Sequence, residues 1–211
     1  TYHNELKQSM FLRIAPELFL KRLVVGGLER VYEIGPQFRN EGMDSTHNPE
    51  FWTLEFYQAY MDYRGLMELA QKMLSQMVLK LTGSYKLEYT PAHVEEPIIL
   101  DFTPPFAVLD IPEELAKVGL VLPPDLSSPD AQVYLSAECA ERGVGCPSPR
   151  TSARLLDKLI GYYIEPKAIN PTFIVHHPAV LCTLAKKVRD VPQYTQRFEI
   201  FVAGFEIANA Y

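Results

Sequence analysis

At 211 residues, with 47% hydrophobic and 22% charged residues, the chain has enough material for one sizeable core, or one and a fraction. A formal net charge of -6 excludes a domain that grips nucleic acid by overall charge, though not one that touches RNA at an edge. Apolar runs far shorter than a bilayer exclude a helical membrane span, no secretory leader is readable at Thr1, and Cys139, Cys146 and Cys182 fit no metal-ligand spacing, which points to a reduced, intracellular setting.

In chain order, "APELFLKRLVVGG" predicts a helix, with Pro16 in its first turn and Gly26-Gly27 at its end. "ERVYEIG" alternates and predicts a strand running into Gly35-Pro36. "FRNEG" and "EFWTLEFYQAY" predict two strands joined by a polar turn, the second with a buried face. The longest helix is predicted from about Tyr63 to Leu81, capped by Asp62 and ended by Gly83. Its core stripe is Leu66, Leu69, Ala70, Met73, Met77, Val78 and Leu81. "PIILDFTPPF" predicts a strand broken by two prolines, and "DIPEELAKVG" a short helix capped by Asp110. "LPPDLSSPD" is the most loop-like segment and the best place for an insertion. Helices follow at about Pro129 to Glu141 and Thr151 to Ile164, then strand and loop in "PTFIVHHP", then two strands around Gly204. His176-His177-Pro178 is read as a turn, with metal binding as the less favoured alternative, and Arg150, Arg154, Asp157 and Lys158 as surface or inter-element pairs. No segment repeats, and strands and helices do not alternate regularly. The fold class expected is therefore α+β, an antiparallel sheet flanked by helices. The chain starts without Met and stops within the apolar "FEIANAY", so a segment cut at both ends is expected.

Parity organises the charged stretch "FRNEGMDSTHNPEF". Residues two apart on a strand share a face, so Phe51, Thr53, Glu55 and Tyr57 point one way, and Trp52, Leu54 and Phe56 point the other way, into helices. Gln37, Arg39 and Glu41 share a face on the partner strand. Paired through the turn, Arg39, Glu41, Phe51, Glu55 and Tyr57 line one surface bearing a cation, two anions, a ring and a phenol. Two readings stand at this point. Arg39 and Glu55 form a structural ion pair on the sheet, or the surface is a site.

The strings "RIAPELFLKRLVVGGLERVYEIGPQFRNEG", "THNPEF" and "EFYQAYMDY" resemble the lysyl branch of the class II aminoacyl-tRNA synthetases. "FRNEGMDSTHNPEF" with Glu55 is similar to the second signature motif of that class, two antiparallel strands and their loop. "LTGSYK", "DFTPPF", "PRTSARLLDKL", "INPTF" and "RFEIFVAGFEIANAY" extend the resemblance over nearly the whole chain and favour the eukaryotic-type lysyl enzymes. The resemblance implies an incomplete class II catalytic core over residues 1–211, with a small insertion around residues 104–165 and no anticodon-binding domain. It implies ATP-dependent activation of L-lysine and transfer to tRNA(Lys), with magnesium as cofactor, in a cytoplasmic homodimer. A non-catalytic fragment serving as a protein-binding module, or a related ligase that lysylates a protein, are the alternatives.

The resemblance also implies roles. Arg39 contacts the ATP α-phosphate and the lysine carboxylate, a task suited to a guanidinium fork. Glu41 lies near the adenine amino group, His47 and Asn48 near the triphosphate, and Phe51 stacks on adenine. Glu17 holds the lysine α-amino group. Glu55 and Tyr57 receive the ε-ammonium, and Asn209 and Tyr211 line the lysine pocket. Glu199 and Glu206 bind magnesium. Glu206 is opposite in parity to Asn209 and Tyr211, so a bulge or bend is needed for all three to face one site. Cys182, where relatives read serine-proline, and Pro36, where they carry a basic or polar residue, depart from the pattern. The first and third class II motifs, and a further acid on the lysine ammonium, are expected outside residues 1–211. The isolated segment is therefore expected to be inactive.

Overall fold

The computed structural model describes residues 1–44, 47–91, 96–182 and 184–211. The chain divides into two compact units, Thr1–Met61 and Asp62–Tyr211. Each is described by itself.

In the first unit, β1 (Tyr2–His3) and β2 (Gln8–Ser9) form a short antiparallel ribbon. Helix α1 (Glu17–Val25) begins directly after Pro16, whose φ of -84° suits helix entry, and Glu17 occupies the first turn. Gly26 and Gly27 end it, Gly27 at φ 102°, a conformation that costs a glycine little. Strands β3 (Arg30–Phe38) and β4 (Glu50–Gln58) pair antiparallel from Arg30↔Gln58 to Phe38↔Glu50. The predicted break at Gly35-Pro36 is absent: β3 runs on through Pro36. It has β4 on one side only, so a missing N–H is tolerated there. Arg39 and Glu41 therefore lie beyond the strand end, not on a second strand.

The expected burial of Trp52 and Leu54 is also overturned. Trp52 is 70% exposed and Leu54 45%, and Tyr32 and Ile34 beside them are open too. The unit's one helix among the described residues carries Lys21 over the ring of Tyr57, on the opposite face of the hairpin. Among the described residues of this unit no further helix or strand covers the Trp52 face.

In the second unit, α2 (Tyr63–Thr82) starts where Asp62 accepts a hydrogen bond from Gly65 N at 2.9 Å and ends at Gly83, φ 77°. Its inward stripe differs from the prediction. Tyr63, Leu66, Met67, Ala70, Leu74 and Val78 face the core, whereas Met77 and Leu81 are exposed. The buried Ser75 also lies inward and donates to the carbonyl of Phe102. Strands β5 (Lys86–Tyr89) and β6 (Ile98–Asp101) form an antiparallel pair.

The main sheet has the order β10-β9-β8-β7, from β7 (Ala107–Asp110), β8 (Thr172–Val175), β9 (Phe198–Val202) and β10 (Phe205–Ala210). Two of its three pairings are antiparallel, and β7 and β8 are parallel. A parallel pair needs a crossover, and α3 (Ile111–Lys117), α4 (Pro129–Glu141) and α5 (Ser152–Tyr163) supply it. Asp110, Ser128 and Thr151 cap these helices. The α+β class read from the sequence holds, with this one parallel pair added.

Alternation splits the sheet's residues between two cores. Phe173, Val175, Phe198, Ile200 and Val202 pack on the α2 side, joined by Phe102 and Phe106 in a chain of ring contacts with centroids 5.4–6.2 Å apart. Ile174 and Phe201 pack on the other side against Leu115, Leu135, Leu156, Leu159 and Ile160. That second face also carries Glu199, directly opposite Ile174.

Candidate active site

The first group of predicted residues lies on the hairpin of the first unit. The register sets Gln37 opposite Phe51, Gly35 opposite Thr53, Glu33 opposite Glu55 and Val31 opposite Tyr57, so all eight share a face. Two carboxylates facing each other across a ladder repel, and each has a partner that offsets this. Arg13 pairs with Glu33 and donates through Nε to the carbonyl of Pro36 at 3.1 Å. Its guanidinium crosses Gly35, where a Cβ would stand 2.6 Å from Nη2. The Tyr57 hydroxyl donates to Glu55 Oε1 at 2.6 Å. Lys21 pairs with Glu17 one turn before it and places Nζ 5.6 Å from the centroid of the Tyr57 ring. Glu17 and Tyr57 are thus joined through one ammonium, with Glu55 hydrogen-bonded to the phenol.

Arg39 donates through Nε to the carbonyl of Ile14 at 3.2 Å, and its Cζ lies 5.1 Å from the centroid of Phe51. No ion pair joins Arg39 to Glu55 among the described residues; the ion pair on this face is Arg13 with Glu33. Gln37 is buried, yet its Oε1 and the Oγ1 of Thr53 have no hydrogen-bond partner, an arrangement that costs roughly 1–3 kcal/mol per group. Glu41, His47 and Asn48 are exposed. Asp44 Oδ1 accepts from His47 N at 2.9 Å and lies 2.9 Å from its Nδ1, which fixes the imidazole in the loop. Ser45 and Thr46, the centre of the predicted turn, lie outside the described residues.

The second group lies in the second unit. Asn209 is opposite Glu199 and Glu206 is opposite Phe201, with a register shift between Glu206 and Ala208. Phe201 and Glu199 are two apart on β9, so the irregularity brings Glu206 and Asn209 onto the Glu199 face despite their opposite parity. A cavity of about 220 Å³ opens on this face, lined by Asp157, Glu165, His177, Arg197, Glu199 and Glu206, among others. Asn209 Oδ1 accepts from Arg197 Nε at 3.0 Å. Tyr211 is exposed, one residue past the end of β10.

Glu199 is buried and held on both oxygens. His177 Nε2 lies 3.0 Å from Oε2, and Arg197 pairs with Oε1. Burial pushes its carboxyl up, but His177 and Arg197 outweigh this and hold it below the usual range. Glu165 goes the other way: burial, then the nearby Glu199, Asp157 and Glu206, raise it to about 7. Four carboxylates against one guanidinium and one imidazole fit a hard, oxygen-liganded cation. Among the described residues no group of three His, Cys, Asp or Glu is arranged to hold a metal alone. Glu199 and Glu206 are a donor set of the size that magnesium uses when phosphates and water complete its shell.

Sequence reasoning missed Arg13, Lys21, Glu165 and His177. Arg13 and Lys21 lie outside the hairpin strands, and parity speaks only of residues on one ladder. Asp157 is exposed and pairs with Lys158 at 3.6 Å, as its reading as a surface or inter-element pair expects, and it also stands at the rim of the cavity. Cys182 Sγ accepts from Arg197 Nη1 at 2.9 Å.

The sequence model for tRNA synthetases class II (D, K and N) matches residues 1–211. A protein of Encephalitozoon cuniculi named "Probable lysine--tRNA ligase, cytoplasmic" is 49% identical over 216 residues, covering 100% of this chain and 42% of its own length. A lysine–tRNA ligase of Deinococcus radiodurans is 48% identical over 218 residues, 100% of this chain and 38% of its own. One of Chloroflexus aurantiacus is 41% identical over 212 residues, 100% and 41% respectively. The chain therefore spans about two fifths of the length of these relatives. No helix among the described residues is long and apolar enough to cross a membrane.

Proposed function

The chain belongs to the class II tRNA synthetases of the D, K and N group, and from that premise we propose that it serves ATP-dependent activation of lysine and transfer of the lysyl group to tRNA(Lys). In the first step a carboxylate oxygen of lysine bonds to the α-phosphorus of ATP, the bond to the bridging oxygen breaks, and pyrophosphate leaves. Both reactants are anions, so the protein's task is positioning and charge neutralisation. Arg39 supplies a guanidinium for the α-phosphate and the lysine carboxylate. Phe51, which already carries the Arg39 guanidinium over its ring, supplies a flat surface for adenine. Glu41 takes the adenine amino group, and His47 and Asn48 take the triphosphate. Glu17 takes the lysine α-amino group, and Glu55 with Tyr57 the ε-ammonium, while Asn209 and Tyr211 complete the lysine contacts. A carboxylate hydrogen-bonded to a phenol selects a cation, because a neutral side chain of the same length leaves its negative charge without a counter-charge.

Glu199 and Glu206 would hold magnesium, which supplies positive charge to the ATP phosphates when bound. The working form is a cytoplasmic homodimer, in keeping with the name of the Encephalitozoon relative for the compartment and with the family resemblance for the assembly. The observation that carries the reading is the Glu55–Tyr57 pair on the same hairpin face as Phe51, in a chain whose whole length resembles lysine–tRNA ligases. Amino-acid-dependent ATP–pyrophosphate exchange tests it. A form extended to the length of the relatives is expected to exchange with lysine and not with aspartate or asparagine, and residues 1–211 alone are expected to show none. Exchange driven by aspartate or asparagine would overturn the substrate, and exchange by residues 1–211 would overturn the claim that the segment is inactive.

A further inference from the structure

His177 is 3% exposed and stands two residues past the end of β8. On a continued strand it would share the face of Val175, which packs toward α2 and away from Glu199. His176 prevents that continuation. Its φ is 58°, a left-handed backbone that only a few per cent of non-glycine residues adopt. The turn carries the His177 ring to Glu199, with Nε2 at 3.0 Å from Oε2. The backbone there is clamped: Thr195, fully buried, donates both N and Oγ1 to the carbonyl of His177 at 2.9 Å. Nδ1 is buried with no hydrogen-bond partner. The same turn sets His176 against Asp110 and His177 against Glu199, and of the two rings it is the buried His177 whose other nitrogen is left without a partner to make its contact.

We infer that His177 is a positioning residue for Glu199, fixing the carboxylate so that its remaining acceptor positions face the cavity shared with Glu206. A carboxylate offers about four lone-pair sites. One is taken by His177 and one by Arg197, from opposite ends of the group, and the rest are free to meet a cation. The inference rests on the proposed role of Glu199 in holding magnesium with ATP.

Full-length protein is compared as wild type, His177→Gln, His177→Asn, Glu199→Gln and the His177→Asn/Glu199→Gln double variant. The readout is the magnesium concentration giving half of the rise in Tm at a fixed, saturating level of a non-hydrolysable ATP analogue, with lysine-dependent exchange measured alongside. The Gln amide nitrogen reaches about as far as Nε2, whereas that of Asn stops short. His177→Gln is expected within about threefold of wild type and His177→Asn shifted roughly 10–100-fold, the range for partners of metal ligands. The Asn shift is expected to vanish in the Glu199→Gln background. If Gln and Asn behave alike, or the Asn shift persists in full in the double variant, the positioning role is overturned. If Glu199→Gln leaves the magnesium dependence unchanged, the assignment of Glu199 itself fails, and the inference with it.

Discussion

Glu165 shows how one side chain can carry a pH dependence of its own. Its carboxyl lies among Asp157, Glu199 and Glu206, with Lys158 as the opposing charge, and is raised from 4.5 to about 7 by burial first and by these acids second. Between those values the folded chain holds a proton that the unfolded chain has released. The unfolded state then binds fewer protons, so this group's contribution to stability falls as pH rises from about 4.5 to 7. The side chain keeps partial solvent contact, so the fall is only about 1 kcal/mol. Glu199 acts in the opposite sense, because its carboxyl is held below the usual range and its contribution is lost on acidification. Glu165→Gln, compared with wild type by urea unfolding at pH 5 and pH 7.5 in a chelator, is expected to remove about 1 kcal/mol of the decline. A decline of equal size in both proteins would show that Glu165 is not its source.

Among the elements, α2 is the clearest case of a pattern read correctly at its ends and only partly along its length. Asp62 and Gly83 are strong punctuation with a mechanism behind them, and the helix starts and stops there within a residue. The stripe drifted because Met and Leu satisfy a helical period on either flank of the true core face. Met77 and Leu81 fit the spacing yet are exposed, while the polar Ser75 is buried. Its burial is explained by the hydroxyl that donates to the Phe102 carbonyl at 2.8 Å, tying α2 to the end of β6. Ser75→Ala leaves that buried carbonyl without this donor and is expected to cost about 1–2 kcal/mol, read as a lower urea midpoint at unchanged m-value. Met77→Ala on the exposed flank is expected to cost under about 0.5 kcal/mol. The shared face of Gln37, Phe51, Thr53, Glu55 and Tyr57 and the need for an irregularity near Glu206 were legible because strand parity is strict, whereas the register was not, since β3 runs through Pro36 and ends before Arg39. Lys86–Tyr89 and Ala107–Asp110 are four-residue strands, too short for alternation to register. His177 reaches Glu199 through a left-handed turn that no periodicity encodes.

The whole molecule divides unevenly. Residues 62–211 hold both apolar clusters, one on each side of the four-stranded sheet. In residues 1–61 the buried apolar side chains among the described residues are Pro16 and Leu20, while Tyr32, Ile34, Trp52 and Leu54 stand open. Each ordered residue costs on the order of 1–2 kcal/mol of conformational entropy, and fully burying a large apolar side chain returns about 1.5–3 kcal/mol. Two such groups cannot offset the ordering of a hairpin and a helix, whereas the second unit meets the requirement twice. Residues 62–211 prepared alone are therefore expected to give a single cooperative urea transition by far-UV circular dichroism. Residues 1–61 alone are expected to give none. Trp52 is the one tryptophan of the chain and is already 70% exposed, so in the 211-residue chain its emission is expected to move little across the transition that circular dichroism records. A sharp transition in residues 1–61, or a large blue-shifted Trp52 signal lost on unfolding, would mean that the Trp52 face is covered and that the first unit has a core of its own.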